Sequence, residues 1–173
     1  MRAFFTSCAA ACTLLTGLFA SLPASAQGQE KDDTSRFDGP GHWRVLASPY
    51  THHFHYSEEH RYVWAIGAER QADTGWLVGA SYFSNSFGQP SAYVYAGERY
   101  AGLLNLAPLY FQWTAGILYG YVGQYKDKVP LNYGGFSPGA VVSLGWQLNR
   151  ESGMQLNLLG DAGVMLQFSH DFH

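Results

Sequence analysis

Charge is scarce in this chain: 13% of its 173 residues are Asp, Glu, Lys or Arg, against about a quarter in soluble domains. The formal net charge is -3, and no basic patch interrupts the acidic balance, so nucleic acid is excluded as a partner. Cysteine is nearly absent. The only two, Cys8 and Cys12, fall in a segment read as cleaved, which leaves the mature chain without disulfide support. After that segment no apolar run approaches the roughly 20 residues a spanning helix needs. What the chain has instead is aromatic residues, at 16%, and 20 glycines.

The N-terminus sets the compartment. Arg2 precedes an apolar run from Ala3 to Leu22, and Ala24-Ser25-Ala26 offers small residues to a signal peptidase, so residues 1–26 are expected to be a signal peptide. A lipoprotein cut before Cys12 fits less well, because Ala9-Ala10-Ala11 is a poor approach and the apolar run continues past it. Residues 27–42 form a polar lead, with Glu30, Lys31, Asp32, Asp33 and Arg36 ending in Gly39-Pro40-Gly41. One domain, residues 43–173, follows.

That domain has the period of strands. Segments are expected at Trp43 to Tyr56, Arg61 to Gln71, Gly75 to Phe83, Ala92 to Gly102, Ala107 to Val122, Gly135 to Leu148, Met154 to Leu159 and Ala162 to Phe172. Tyr62, Trp64 and Ile66 alternate with Val63, Ala65 and Gly67. Strands of about ten residues with one bulky apolar face predict an all-β fold, an eight-stranded antiparallel transmembrane β-barrel of the outer membrane. A soluble barrel or sandwich is the alternative that alternation alone leaves open.

Loop lengths orient the barrel. Ala72-Asp73-Thr74, Leu103 to Leu106 and Asn149 to Ser152 are short and belong on the periplasmic side, whereas Gly123 to Gly134 is long and belongs outside. Strand one then runs outward into Thr51-His-His-Phe-His-Tyr-Ser-Glu-Glu-His60, and strand three into Ser84-Asn85-Ser86, so histidines and serines converge on one rim. Tyr50, His52, Phe54 and Tyr56 share the lipid-like face, which makes His53 the first choice for the lumen. A bulge near Pro49 would exchange the faces and promote His52. Metal binding by His52, His53, His55 and His60 is the weaker reading, since neighbouring strand histidines do not converge on one ion unaided.

At this rim the chain resembles the PagP family of outer-membrane lipid A palmitoyltransferases. The family's serine segment is matched by Phe83-Ser84-Asn85-Ser86-Phe87, and later segments by Thr114-Ala115-Gly116, Val129-Pro130-Leu131 and Pro138-Gly-Ala-Val-Val-Ser-Leu-Gly145, in the family's order. The resemblance implies transfer of a palmitoyl chain from a phospholipid donor to lipid A, without cofactor or metal, by a monomer embedded in outer-membrane lipid. It puts the family serine at Ser86 and its aspartate at Asn85, while the family histidine requires a small shift to reach His52 or His53.

The chemistry that follows gives His53 the role of general base for the attacking hydroxyl, with Asn85 and Ser86 donating hydrogen bonds to the oxyanion. A covalent acyl-Ser86 is the variant, and it needs the histidine beside Ser86 itself. An acyl chain asks for a narrow, apolar bore, for which strand four offers Ala92, Val94 and Ala96. The resemblance implies a floor at Ala96 or Gly97. Pro49 and Pro138 interrupt strands where family members open laterally to lipid. Tyr82 to Pro90 also resembles the serine segment of PagL, the lipid A deacylase, with Ser84 as nucleophile and Glu98 as orienting acid. A non-enzymatic outer-membrane barrel is the third reading.

Overall fold

The structure, a computed structural model, describes residues 40–172, so the expected signal peptide and most of the polar lead lie outside the described residues. Eight strands follow in chain order: β1 (Gly41–His53), β2 (Ala65–Ala72), β3 (Trp76–Ser84), β4 (Pro90–Ala101), β5 (Leu109–Tyr119), β6 (Phe136–Gln147), β7 (Ser152–Leu158) and β8 (Gly163–Phe172). Each pairs antiparallel with its neighbour in the chain, and β1 pairs with β8 to close the barrel. Closure satisfies the backbone without any sheet edge, as hydrocarbon demands.

Alternation decides what faces where. Tyr62, Ile66, Val94, Ile117, Leu144 and Phe168 stand exposed on the outer wall, an apolar and aromatic surface that water would not tolerate at this extent and lipid does. The chain is an integral outer-membrane barrel, and the soluble alternative is set aside on this surface. Four links, residues 54–64, 85–89, 120–135 and 159–162, meet at one end of the barrel, the two longest among them, and 73–75, 102–108 and 148–151 meet at the other. The end with the long links is the outer rim.

The interior differs from the apolar bore expected for an acyl-binding barrel. Its lower half is a polar network. Arg44 on β1 bonds both oxygens of Asp171 on β8, with Nη2 to Oδ2 at 3.1 Å, and its Nη1 lies 2.6 Å from Gln71 Oε1 and 3.5 Å from Glu69 Oε2. Glu69, 1% exposed, accepts bonds from the Tyr95 hydroxyl at 3.0 Å and Gln112 Nε2 at 3.2 Å. Arg99 donates to Gln112 at 2.9 Å and lies 3.9 Å over the Tyr110 ring. Gln155, Asn157 and Gln167 continue the chain of amides at 2.7 and 2.9 Å.

Strand four corrects the face assignment. Val94 is 61% exposed, whereas Tyr95 is buried and Tyr93 hydrogen-bonds inside the barrel to Thr114 and the Gly139 carbonyl. Tyrosine carries a polar tip that finds partners indoors, while the small residues were free to face lipid. Ala96 shares Val94's outward face, so it is no floor. The bulky ring of Tyr95 has room because a Cβ at Gly79 would meet it at 2.7 Å.

The outer half of the wall is incompletely laddered. Pairing of β1 with β2 ends at Ser48 and Ala65, one residue before Pro49. Beyond it, Tyr50 to His53 pair with β8 alone. Arg61 to Trp64, expected to belong to strand two, instead bond toward β3, through Arg61 N to Ser86 O at 2.8 Å and Ser84 N to Trp64 O at 3.1 Å. The Tyr62 hydroxyl bridges the resulting gap to the Pro49 carbonyl. A second gap lies between β6 and β7, whose ladder ends at Val142 and Leu158, leaving Pro138 paired only with Ile117 on β5.

Arg44→Ala is expected to destabilise the barrel by about 3–5 kcal/mol, because it strands Asp171 and Glu69 as buried, uncompensated charges. A urea titration of heat-modifiable migration measures the loss.

Candidate functional site

A bulge places the histidine. Between Ala47 and Tyr50 the register of β1 against β8 shifts, so the inward positions change from Arg44, Leu46 and Ser48 to Thr51 and His53. Local alternation over residues 50 to 56 thus read the faces correctly; the bulge near Pro49 is present but does not promote His52, because it joins that stretch to the oppositely phased strand below. His52 is exposed on the outer side.

The opposite wall brings the serine. β3 ends at Ser84, and the next residue, Asn85, is 1% exposed. Its Oδ1 accepts the amides of Phe87 at 2.9 Å and Gln89 at 3.0 Å, fixing a turn of the Asx kind. Ser86 projects from this turn. Its Oγ lies 2.8 Å from His53 Nε2, a separation that suits proton transfer. With Nδ1 carrying the proton, Nε2 accepts from the hydroxyl.

Asn85 is oriented away from the oxyanion role expected of it. Nδ2 faces the Gly120 carbonyl at 3.2 Å and Gln89 Oε1 at 3.4 Å. Both of its amide hydrogens are engaged within the protein, so it positions its neighbours. The structure brings His53 and Ser86 into contact and sets Asn85 behind them.

Around the pair the rim is aromatic, and two of its members, Tyr121 and Tyr125, were not singled out in the sequence. The His60 ring lies 4.3 Å from that of His53, and His60 in turn meets Phe87 edge-on at 5.8 Å. Phe87 stacks on Tyr125 at 4.3 Å, with Lys128 Nζ 5.3 Å from its centroid. Tyr121, just past β5, packs edge-on against Phe87 at 6.2 Å and lines the same cavity as Ser86. Burial pushes that phenol above its ordinary pKa. It therefore stays protonated. Only the glycine before it, Gly120 with φ 138, lets the chain pass Ser91, whose Oγ a Cβ there would meet at 2.0 Å.

Beneath the pair lies a cavity of about 390 Å³, within the usual range for ligand pockets. Val63, Phe83, Leu118, Val129, Leu159 and Met165 wall it, while Tyr93, Tyr95, Glu69 and Gln112 lie deeper. It reaches Thr51 and Val63 on the side of the first wall gap and Pro138 and Val141 on the side of the second. The Thr51 hydroxyl is buried in it without a hydrogen-bond partner among the described residues. Among those residues no group of three or more His, Cys, Asp or Glu side chains is placed to hold a metal ion.

The deacylase arrangement is not formed. Ser84 pairs with Pro90 and Glu98 with Trp76, so the two are separated along the sheet by roughly 27 Å at about 3.4 Å per residue. Glu98 instead accepts the Tyr100 hydroxyl at 2.5 Å, toward the other end of the barrel.

No family model matches this chain, and no curated protein matches it. Among solved structures, it is similar to the outer membrane protein Ail of Yersinia pestis in a phospholipid bilayer nanodisc, with 12% identity, 77% of this chain and 100% of that one covered, and a TM-score of 0.44. Ail, the attachment invasion locus protein of the same organism, in a crystal structure with the heparin analogue sucrose octasulfate, gives 12% identity, 76% and 97% coverage and a TM-score of 0.37.

Asn85→Ala removes the acceptor for two amides and the donor to Gly120, and is expected to speed hydrogen exchange at the Phe87 and Gln89 amides at least tenfold. Exchange measured by mass spectrometry on the folded barrel checks this, and Asn85→Asp, which keeps Oδ1, should restore most of the protection.

Proposed function

We propose that this barrel is an acyltransferase of the outer leaflet, moving an acyl chain from a phospholipid to a hydroxyl of lipid A through an acyl-Ser86 intermediate. The observation that carries the reading is the 2.8 Å contact between His53 Nε2 and Ser86 Oγ above a cavity that adjoins both gaps in the wall. Of the two mechanisms open to the sequence, the covalent one required the histidine beside Ser86, and that contact supports it. The resemblance of the rim segments to PagP supplies the substrate class.

The steps balance with protein groups alone. A phospholipid ester reaches the mouth with its chain in the cavity. Ser86 Oγ attacks the ester carbon as His53 takes the hydroxyl proton, and the new oxyanion collapses to expel the lysophospholipid alkoxide, which recovers that proton from His53. The acyl chain is now an ester on Ser86. A lipid A hydroxyl then loses its proton to His53 and attacks the same carbon, and Ser86 leaves and is reprotonated. Positioned proton transfer of this kind contributes about 10²–10⁴-fold. His53 works without a carboxylate partner among its hydrogen bonds; His60 packs against its ring instead.

The cavity limits the chain. Apolar walls favour each buried methylene by about 0.8 kcal/mol, and this gain ends where Tyr95, Glu69 and Gln112 present polar atoms already bonded to one another. Tyr93 stacks on Tyr95 at 4.7 Å, one step nearer the rim. The polar lower interior equally suits a non-enzymatic barrel, whose rim residues would tolerate alanine.

Mass analysis of lipid A from cells expressing the protein is expected to show one added acyl group, absent with Ser86→Ala or His53→Ala although both variants reach the membrane folded. Loss of an acyl group would mean that water is the acceptor, and no change would favour the structural barrel. Tyr93→Ala is expected to shift the transferred chains toward greater length; an unaltered chain profile would remove Tyr93 from the measuring surface.

A further inference from the structure

Resting on the acyl-Ser86 reading, we infer that His60 is a positioning residue, its ring holding the His53 imidazole in the orientation that aims Nε2 at the serine hydroxyl. The His53 side chain makes one hydrogen bond among the described residues, to Ser86 Oγ at 2.8 Å. A ring tethered at one nitrogen can still turn about its side-chain bonds. The strand end that carries it is open on one side, since Tyr50 to His53 pair with β8 alone. A base so placed needs a third group to orient it.

The His60 ring meets that need. Its centroid lies 4.3 Å from that of His53, with 32° between the ring planes, close enough to block the swing of the imidazole on that side. The support continues outward: His60 meets Phe87 edge-on at 5.8 Å, and Phe87 stacks on Tyr125 at 4.3 Å with 14° between the planes. The rings of Tyr125, Phe87, His60 and His53 thus form a row from the link after β5 to the end of β1. The base is its last member.

The same row is tied to the nucleophile. Phe87 follows Ser86 in the chain, and its amide is held by Asn85 Oδ1 at 2.9 Å. From the other side, the amide of Arg61 donates to the Ser86 carbonyl at 2.8 Å, and that of His60 to the Ser57 carbonyl at 3.1 Å. His60 is therefore fixed to the serine turn twice, through its neighbour's backbone bond and through its own contact with Phe87. A closed circuit results: Ser86 bonds His53, His53 packs on His60, His60 packs on Phe87, and Phe87 is joined to Ser86 by the chain. It sets base and nucleophile relative to each other although β1 delivers one and the turn after β3 the other, and such orientation is a large share of what a reactive site supplies.

The test uses full-length barrel refolded in detergent micelles and an alkyl fluorophosphonate. Ser86 Oγ attacks phosphorus, the hydroxyl proton passes to His53, and fluoride leaves. Wild type should be labelled at Ser86, and His60→Ala should be labelled on the order of 10²-fold more slowly, the scale of loss that a small misplacement of reacting groups brings. His60→Phe, which restores a ring, should recover most of the rate. Labelling over a range of probe concentrations separates orientation from probe binding: in His60→Ala the maximal rate should fall while the half-saturating concentration stays in place. Heat-modifiable migration verifies that each variant is folded, and hydrogen exchange at the Phe87 amide, expected to match wild type, verifies that the serine turn is intact. Undiminished labelling of His60→Ala, or a change confined to the half-saturating concentration, would overturn the inference while leaving Ser86 as nucleophile. So would loss of protection at Phe87, or a His60→Phe barrel as slow as His60→Ala. Wild type that resists labelling at Ser86 would instead overturn the reading beneath it.

Discussion

A cylinder made from one sheet is only as sound as the seam between its first and last strands, and here that seam is fixed by Arg44 lying opposite Asp171. The guanidinium bonds the carboxylate across the seam and reaches Gln71 and Glu69 on the other side, so one side chain ties β8, β1 and β2 together. Slipping β1 by a single residue would turn Trp43 and Val45 inward and send this charge into lipid. The cost of that error makes the register unambiguous. Everything above, including the angle at which β1 presents His53, is built on this fixed base.

The barrel is consequently unequal along its axis. Its lower half is filled by paired charges and amides and is fully laddered. Its upper half gives up ladder bonds beside Pro49 and Pro138, encloses a cavity and carries the reactive-looking pair. Sites that must admit a ligand belong where local stability is lowest, and rigidity below is what allows looseness above without loss of the fold.

Much of this was written in the sequence at period two. The eight strands, the orientation of the barrel and the convergence of His53 with Ser86 follow from alternation and loop length, and the observed strands begin and end within a few residues of those expected. The faces of β4 were not legible, because tyrosine suits both a lipid boundary and a polar interior, and only the partners of Tyr93 and Tyr95 decide between them. Asn85 was misjudged for a related reason. An amide beside a serine reads equally as an oxyanion donor or as the keeper of a turn, and the deciding atoms, the Gly120 carbonyl and the amides of Phe87 and Gln89, are set by tertiary placement. Tyr121 left no trace at all, since its approach to Phe87 depends on how two separate loops fold over one another.

The first gap in the wall has a chemical consequence for a protein living in hydrocarbon. An amide hydrogen deprived of its neighbouring strand would need a partner that lipid tails lack, at several kcal/mol for each group left bare. Pro49 owns no such hydrogen, and its carbonyl is taken by the Tyr62 hydroxyl. At that residue both main-chain positions are quiet without any adjoining strand, so the breach can stand in oil without drawing water in after it.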